Sequence, residues 1–469
     1  MSANLQSFDA GHAAPSARAT CALAIGSPDR AIAFDRHGQT PLSTFFAHVR
    51  GLAATLPDRP FALNLCDNRY RFLVAFCAVA VRGQATLLPP ARTRAAIDDV
   101  RAQHPDSYCL GDADPCGCDA QGMPPHYVHV ARDLPTRPGG TPHVAPDALV
   151  AIGFTSGSTG HPTPNRKTWA SFRTSTAQNL EALAGLWREG EQRSIVATVP
   201  SQHMYGMEMS VLLPLLGEAA VHRGRPFFPQ DIANALHDAP GSRLLVTTPV
   251  HLRALVDAAA GGGGLRLPPL AGIVSATAPL PQALAAAAES HFGCEVRELF
   301  GSTETCVIAR RRTASERAWT PLRGVSLQPR PDGAVVHADH LAGPVALADL
   351  VDVAGDGRFE LRGRQSDLLE IAGKRASLGD LTRRLLAIPG VEDGVVFQLD
   401  ARDDDGVRRI AALVVAPGLA APAIREAMRC AVDPVFLPRP LRCVPALPRN
   451  ETGKLPRAAL LRMLHGNID

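Results

Sequence analysis

Leu149-Val-Ala-Ile-Gly-Phe154-Thr155-Ser156-Gly157-Ser158-Thr159-Gly160-His161-Pro162 is the stretch on which the fold turns. Its opening, Leu149 to Phe154, is a short apolar run that reads as a buried strand, and it feeds directly into glycines and hydroxyls. Glycines let a backbone bend until its N–H groups point at a phosphate, and the hydroxyls add donors. The spacing is not that of the Gly-x4-Gly-Lys-Ser/Thr loop, because His161 follows Gly160 and no glycine precedes Lys167. A strand that runs into a phosphate-shaped loop belongs at the C-terminal edge of an open α/β sheet.

The sequence on both sides agrees. Leu42 to Leu56 has apolar residues at helical spacing, Phe61 to Leu65 reads as a strand and Phe72 to Arg82 as a helix. Asp112 to Asp147, rich in Pro, Gly and Asp, predicts surface loop, and residues 1–30, rich in small residues, predict loose order. Beyond the loop come strands at Ser194–Val199, Leu244–Thr247, Gly272–Ser275 and Val296–Phe300, with helices at His251–Ala260 and Pro281–His291. Such alternation marks a mostly parallel sheet. From about Arg323 to Leu361 short strands take over, with Asp332-Gly333 and Asp356-Gly357 as hairpin signals. A segment with its own pattern begins at Gly363-Arg364.

Composition narrows the function classes. With 469 residues, 46% of them hydrophobic, the chain is long enough for two or three domains and cannot be mainly disordered. The net charge of +3 argues against a dedicated nucleic-acid binder. The apolar run Phe72–Val81, bounded by Arg71 and Arg82, is about half a membrane span and predicts a buried helix. The N-terminus lacks the continuous apolar core of a signal peptide, and the ten cysteines are scattered, Cys116-Gly-Cys118 having no partner pair at zinc-site spacing. These features predict a cytoplasmic protein without a membrane span. Of 48 basic residues, lysine supplies only Lys167, Lys374 and Lys454.

Four further strings carry chemistry. Phe300-Gly-Ser-Thr303-Glu304 follows a strand end, where a hydroxyl and a carboxylate suit Mg²⁺ and a nucleotide. Asp349 comes next, then Gly363-Arg364-Gln-Ser-Asp367 with Gly373-Lys374-Arg375. Last is Pro448-Arg-Asn-Glu-Thr-Gly453-Lys454-Leu-Pro456, whose glycine-flanked lysine can enter another domain's cleft as a mobile point charge.

In this order the strings resemble the acyl-adenylate-forming superfamily: acyl-CoA synthetases, aryl-acid ligases, peptide-synthetase adenylation domains and luciferases. The resemblance runs from about residue 31 to 465. It implies a large N-terminal α/β domain, 1–363, of mostly parallel sheets flanked by helices, with a β-rich part at about 320–363. A hinge at 364–367 and a small mobile α+β domain at 368–469 follow. It implies that ATP and Mg²⁺ are used. The phosphates of ATP then fall to the loop Thr155, Ser156, Gly157, Ser158, Thr159 and Gly160. Adenine falls to Phe300 and to Ala276 and Thr277 of Ser275-Ala-Thr-Ala-Pro279, the α-phosphate to Thr303, Mg²⁺ to Glu304 and ribose to Asp349 and Arg364. His203, in Pro200-Ser-Gln-His-Met-Tyr-Gly206, matches the histidine beside the acyl pocket, and Lys454 the catalytic lysine. A lysine held between two anions, a carboxylate and the α-phosphate, screens their repulsion as the acyl-adenylate forms.

The chain departs from the family pattern at three places. Pro-Lys-Gly after the phosphate loop is here Pro162-Thr-Pro-Asn-Arg166-Lys167, so Arg166 or Lys167 is the candidate for the missing cation. Ser366 stands at the hinge in place of Asp or Lys, and Leu347-Ala-Asp349 replaces Thr-Gly-Asp. Met204 to Met209 lacks the aspartate that pairs with an amino-acid substrate's amine, which points to an amine-free acid, although Glu208 is nearby. Pro162 to Trp169 and Ile371 to Leu378 are similar to stand-alone ligases of aryl-polyene and xanthomonadin-type pigment clusters, which load an aromatic acid such as a hydroxybenzoate onto an acyl carrier protein. Ten Lys/Arg against four Asp/Glu in residues 407–469 would steer in either an acidic carrier or CoA. The alternatives are an acyl- or aryl-CoA ligase and, in a different class, a non-catalytic nucleotide-binding relative.

Overall fold

The computed structural model describes residues 20–113, 124–156, 162–261, 264–330, 333–347, 349–364, 368–371, 374–402, 408–450 and 453–466. The phosphate-loop residues Gly157, Ser158, Thr159 and Gly160, the hinge residues 365–367, Gly373 and the Cys116–Cys118 pair lie outside the described residues.

Two sheets dominate. The first has six strands in the order Pro162–Thr168, Leu149–Ser156, Ala85–Leu88, Phe61–Asn64, Ser107–Gly111, Tyr127–His129, parallel except for its first pair. The second has nine, and its centre is parallel: Val296–Ser302, Gly272–Ser275, Ser242–Thr247, Arg193–Ala197, Ala219–His222, Ala31–Asp35. Strands buried on both faces need near-continuous apolar sequence, which is how the sequence reads there. The helix Arg69–Val81 is apolar all round, and every residue from Phe72 to Ala80 is buried. It starts three residues before the sequence places it, because the Asn68 side chain caps it by accepting from the Arg71 amide at 3.1 Å. No helix among the described residues is long and apolar enough to cross a membrane.

Two loop expectations need correction. Cys21–Ala22 pairs antiparallel with His143–Val144, and Leu23 and Ala24 are buried, so the N-terminal segment packs from residue 21 onward. The segment 112–147 also contributes an edge strand, Tyr127–His129, and the buried Val130 and Val144. In both cases pairing with a distant partner supplies the order.

Short antiparallel sheets follow, Val325–Arg330 with Gly333–Ala338 and Val345–Ala346, then Asp349–Val353 with Phe359–Arg364. They share a core of Ile308, Trp319, Leu327, Val336 and Phe359. Leu381, Leu385, Val396, Ile410, Val414 and Ile424 form a separate core over the sheet Asp393–Arg402, Arg408–Val415, Leu441–Cys443.

Candidate active site

The phosphate-loop strand ends at Ser156, and the chain returns at Pro162 as an antiparallel edge strand, with Thr163 opposite Thr155. Edge position is what allows Pro162 and Pro164 inside that strand, since neither can donate to a ladder. At Gly153 a Cβ would lie 2.7 Å from Thr303 Cγ2 and 3.2 Å from Met204 Cε, so glycine is what lets the 303 turn approach this strand. Gly153, Phe154, His203, Met204 and Thr303 line one cavity of about 20 Å³, room for a single water. The structure therefore brings together Thr303 and His203, which lie a hundred residues apart in sequence.

Glu304 sits on a clamped turn. Lys167 Nζ donates to the Glu304 carbonyl at 2.8 Å, and His340 Nε2 donates to the Thr305 carbonyl at 2.6 Å. Thr305 Oγ1 accepts from the Ser302 amide at 3.0 Å and donates to the Cys306 carbonyl at 2.9 Å. The Glu304 carboxylate itself is half-buried, and no described residue hydrogen-bonds or ion-pairs with it. Among the described residues no three His, Cys, Asp or Glu converge on a metal position. One open carboxylate next to Thr303, which touches Gly153 of the strand Leu149–Ser156, fits Mg²⁺ that is held mainly by nucleotide oxygens, since Mg²⁺ is commonly bound by one or two carboxylates plus phosphates.

Lys167 needs correction as a phosphate cation. It is 3% exposed, and its ammonium is committed behind Glu304. Arg166, on the next position of the edge strand, is exposed. Glu208 is equally committed. Its Oε1 accepts from Ser175 Oγ at 2.7 Å and Asn179 Nδ2 at 2.9 Å, and its Oε2 from the Val307 amide at 3.0 Å. Burial pushes this carboxyl up, against those bonds and the Lys167 charge. It is a structural acid and does not offer itself to a substrate amine.

A second wall stands just past the strand Gly272–Ser275, where Ala276 is buried and Thr277 has φ +81°. A β-branched residue there costs about 1–3 kcal/mol, strain of the kind that gathers at ligand sites. Glu298 holds the next residues: its Oε1 accepts from the Leu280 amide at 3.0 Å, and its Oε2 takes Arg311 Nη2 at 2.7 Å and Thr313 Oγ1 at 2.6 Å. Phe300 packs at 5.4 Å from the Trp319 ring and 5.7 Å from Phe359, which fixes its plane. Asp349 and Arg364 stand opposite each other in the antiparallel ladder, so both ribose candidates share one rung.

The Lys454 loop reaches this wall. Gly453 is buried, and a Cβ on it would lie 3.3 Å from Val250 Cγ2 and 3.8 Å from Ala278 Cβ. Lys454 is exposed; its amide donates to Asn450 Oδ1 at 2.8 Å and its carbonyl accepts from the Asn450 amide at 2.8 Å. Arg449 grips Asp393 with a fork at 2.7 and 2.9 Å and donates to the Gly453 carbonyl at 2.8 Å.

Sequence reasoning missed His340, Glu298 and Arg69. Fully buried Arg69 donates to Ser201 Oγ at 2.9 Å, to Ser210 Oγ, and to the carbonyls of Ala197 and Val199 at 2.9 and 2.8 Å, bracing the His203 segment from below. Burial pulls its guanidinium down to about 9. A charged residue inside an apolar strand could have flagged Glu298; nothing local marks Arg69 or His340.

A family model described as AMP-binding enzyme matches residues 64–336. A 4-coumarate–CoA ligase of Rhodobacter capsulatus is 32% identical over 313 residues, 65% of this chain and 74% of that protein. A shorter match, 33% identical over 131 residues, covers 26% of this chain and 25% of an L-proline–[L-prolyl-carrier protein] ligase of Pseudomonas fluorescens. Among solved structures, the o-succinylbenzoate coenzyme A synthetase of Bacillus subtilis, in complex with ATP and a magnesium ion, superposes with a TM-score of 0.76 at 18% identity, over 92% of this chain and 96% of that one.

Proposed function

The chain belongs to the AMP-binding enzyme family and is an ATP-dependent acid–thiol ligase; from that premise we propose that it activates an aromatic, amine-free acid such as a hydroxybenzoate and passes the acyl group to the phosphopantetheine thiol of an acyl carrier protein. The observation that carries the reading is the seat of the Lys454 loop, with Gly453 packed on Val250 and Ala278 beside the strained Thr277. That seat supports Lys454, the next and exposed residue, as the cation that meets a carboxylate and an α-phosphate together.

In the first step a carboxylate oxygen bonds to the α-phosphorus, and the bond to the β-phosphate oxygen breaks, releasing pyrophosphate. Lys454 lowers the repulsion between the two anions and stabilises the charge that gathers on phosphoryl oxygen. Thr303 contacts the α-phosphate, His203 borders the acyl group, and Thr155, Ser156 and the loop through Gly160 hold the leaving phosphates. Phe300, Ala276 and Thr277 take adenine, and Asp349 and Arg364 take ribose. Mg²⁺ bound with ATP at Glu304 supplies charge neutralisation for the departing pyrophosphate. In the second step the thiol sulfur attacks the acyl carbonyl and AMP leaves. We assign residues 1–363 to the adenylating body, 364–367 to the hinge, and 368–469 to the domain that carries Lys454 out and the Gly373 loop in.

Three features support the substrate and acceptor. Glu208 is spent on Ser175, Asn179 and Val307, which favours an acid without an amine. The segment 407–469 is basic, suited to an acidic carrier. Phe227 and Phe228 stand exposed, with Phe227 5.0 Å from the ring of His251, on the helix whose Val250 meets Gly453. The second reading, CoA as acceptor, is favoured by the R. capsulatus relative.

The test is a panel of acids read by pyrophosphate release, then ATP and the best acid with either CoA or a holo-carrier, read by mass. Acid-dependent pyrophosphate and a carrier thioester are expected. Thioester on CoA alone overturns the carrier assignment, and no pyrophosphate across the panel favours a non-catalytic nucleotide binder.

A further inference from the structure

The Lys167 ammonium is buried in the body of the large domain, yet its hydrogen bond goes to the backbone of Glu304, the residue assigned above to the cation carried by ATP. A lysine is costly to bury unless its donors are used and its charge is matched. Here Nζ donates to the Glu304 carbonyl at 2.8 Å, and the Lys167 charge acts on the buried Glu208 carboxyl against the burial that pushes it up. Glu208 is tied in turn to Ser175 and Asn179 of the helix Trp169–Ala182 and to the Val307 amide, directly beyond the turn. His340 fixes the adjoining carbonyl, Thr305, and its own carbonyl accepts from Ser171 Oγ at 2.7 Å on the same helix. Two successive carbonyls of one turn are thus pinned, one by Lys167 on the strand that leads into the helix and one by His340, itself held to that helix by Ser171, while the Glu304 side chain is left open.

We propose that Lys167 is a positioning residue: together with the Glu208 counter-charge it fixes the backbone of Glu304, so that the carboxylate is presented in one place to the cation carried by ATP. The same arrangement explains why this one lysine persists in an arginine-rich chain. A guanidinium is a broad planar fork of five donors, and a site that offers one carbonyl and the Cys306 thiol to a compact ammonium would leave most of them unpaired. The inference rests on the reading of Glu304 as the metal ligand.

The experiment measures calorimetric binding of Mg·ATP and, separately, of Mg-free AMP, which lacks the phosphates that need a cation. The proteins are the full chain and its Glu304→Gln, Lys167→Met and Lys167→Met/Glu208→Gln variants. The double variant keeps the buried pair neutral, so folding does not depend on an orphaned carboxylate. Both Lys167 variants should bind Mg·ATP roughly 10–100-fold more weakly, the usual loss when a group supporting a metal ligand is removed, with AMP affinity unchanged. The Mg²⁺ concentration for half-maximal pyrophosphate release should rise in parallel. Equal loss of AMP and Mg·ATP, or unchanged Mg·ATP affinity in the double variant, overturns the positioning role. Unchanged Mg·ATP affinity in Glu304→Gln overturns the metal-ligand reading beneath it.

Discussion

Gly453 and Lys454 divide the work of one loop. Gly453 has φ +79°, and a Cβ would press on Val250, so glycine alone lets the loop seat while leaving Lys454 exposed. Lys454→Ala should lower acid-dependent pyrophosphate release by roughly 100- to 1000-fold, the range for loss of a preorganised charge at a transition state. It should largely spare thioester formation from preformed acyl-adenylate. Lys454→Arg should not restore the first step, because a planar fork does not replace a slim ammonium between two anions. Separate single-turnover assays of the two half-reactions check this, and equal loss of both contradicts a two-conformation mechanism.

At the scale of elements, two supports can be tested. The Arg449–Asp393 fork ties the Lys454 loop to the strand Asp393–Arg402. Asp393→Asn removes the charge from that grip, and adenylation kcat should fall roughly tenfold for about 1.4 kcal/mol lost in loop placement, with thioester formation again spared. The other support is the start of the helix Pro249–Ala260, where Gly453 rests. His251 Nδ1 lies 3.0 Å from Thr198 Oγ1 and 3.2 Å from Thr248 Oγ1, and burial, aided by the Arg225 charge, pulls it down to about 4. Since the unfolded chain binds this proton near pH 6.5, the fold gains from keeping His251 neutral above that pH. The gain is lost as pH falls from 6.5 toward 4, by up to about 3 kcal/mol. Urea unfolding at pH 7.5 and 4.5 should show the drop, and His251→Asn should reduce it. It should not abolish it, because burial also holds His48, His222 and His340 down.

For the whole molecule, the exposed apolar side chains are telling. Ile25, Phe227, Phe228 and Val250 are the large ones exposed among the described residues; Phe227 touches Phe228 and His251, and Val250 meets Gly453 on the same helix as His251. Clustered apolar exposure on a soluble surface marks a contact site. With a carrier as acceptor, Phe227→Ser/Phe228→Ser should raise KM for the holo-carrier roughly 10- to 100-fold, the equivalent of one buried side chain's contribution of about 1.5–3 kcal/mol, while leaving acid-dependent pyrophosphate release unchanged. An unchanged carrier KM would place docking elsewhere.

The sequence by itself determined the α/β alternation, the strand into the phosphate loop, the β-rich segment and the order of the motifs. Those features rest on local periodicity and on glycine and hydroxyl chemistry that short windows carry. It also made Asp349 and Arg364 candidates, but only strand pairing put them on one rung. Three things were decided by tertiary structure alone: the commitment of Lys167 to Glu304, the burial of Glu208 against Ser175, and the bracing by Arg69 and His340. Each depends on which charges are buried together, and burial of a polar group is set by distant segments that meet in space. A buried lysine and a phosphate-binding lysine look alike in a string of letters; the low dielectric around one and the solvent around the other separate them.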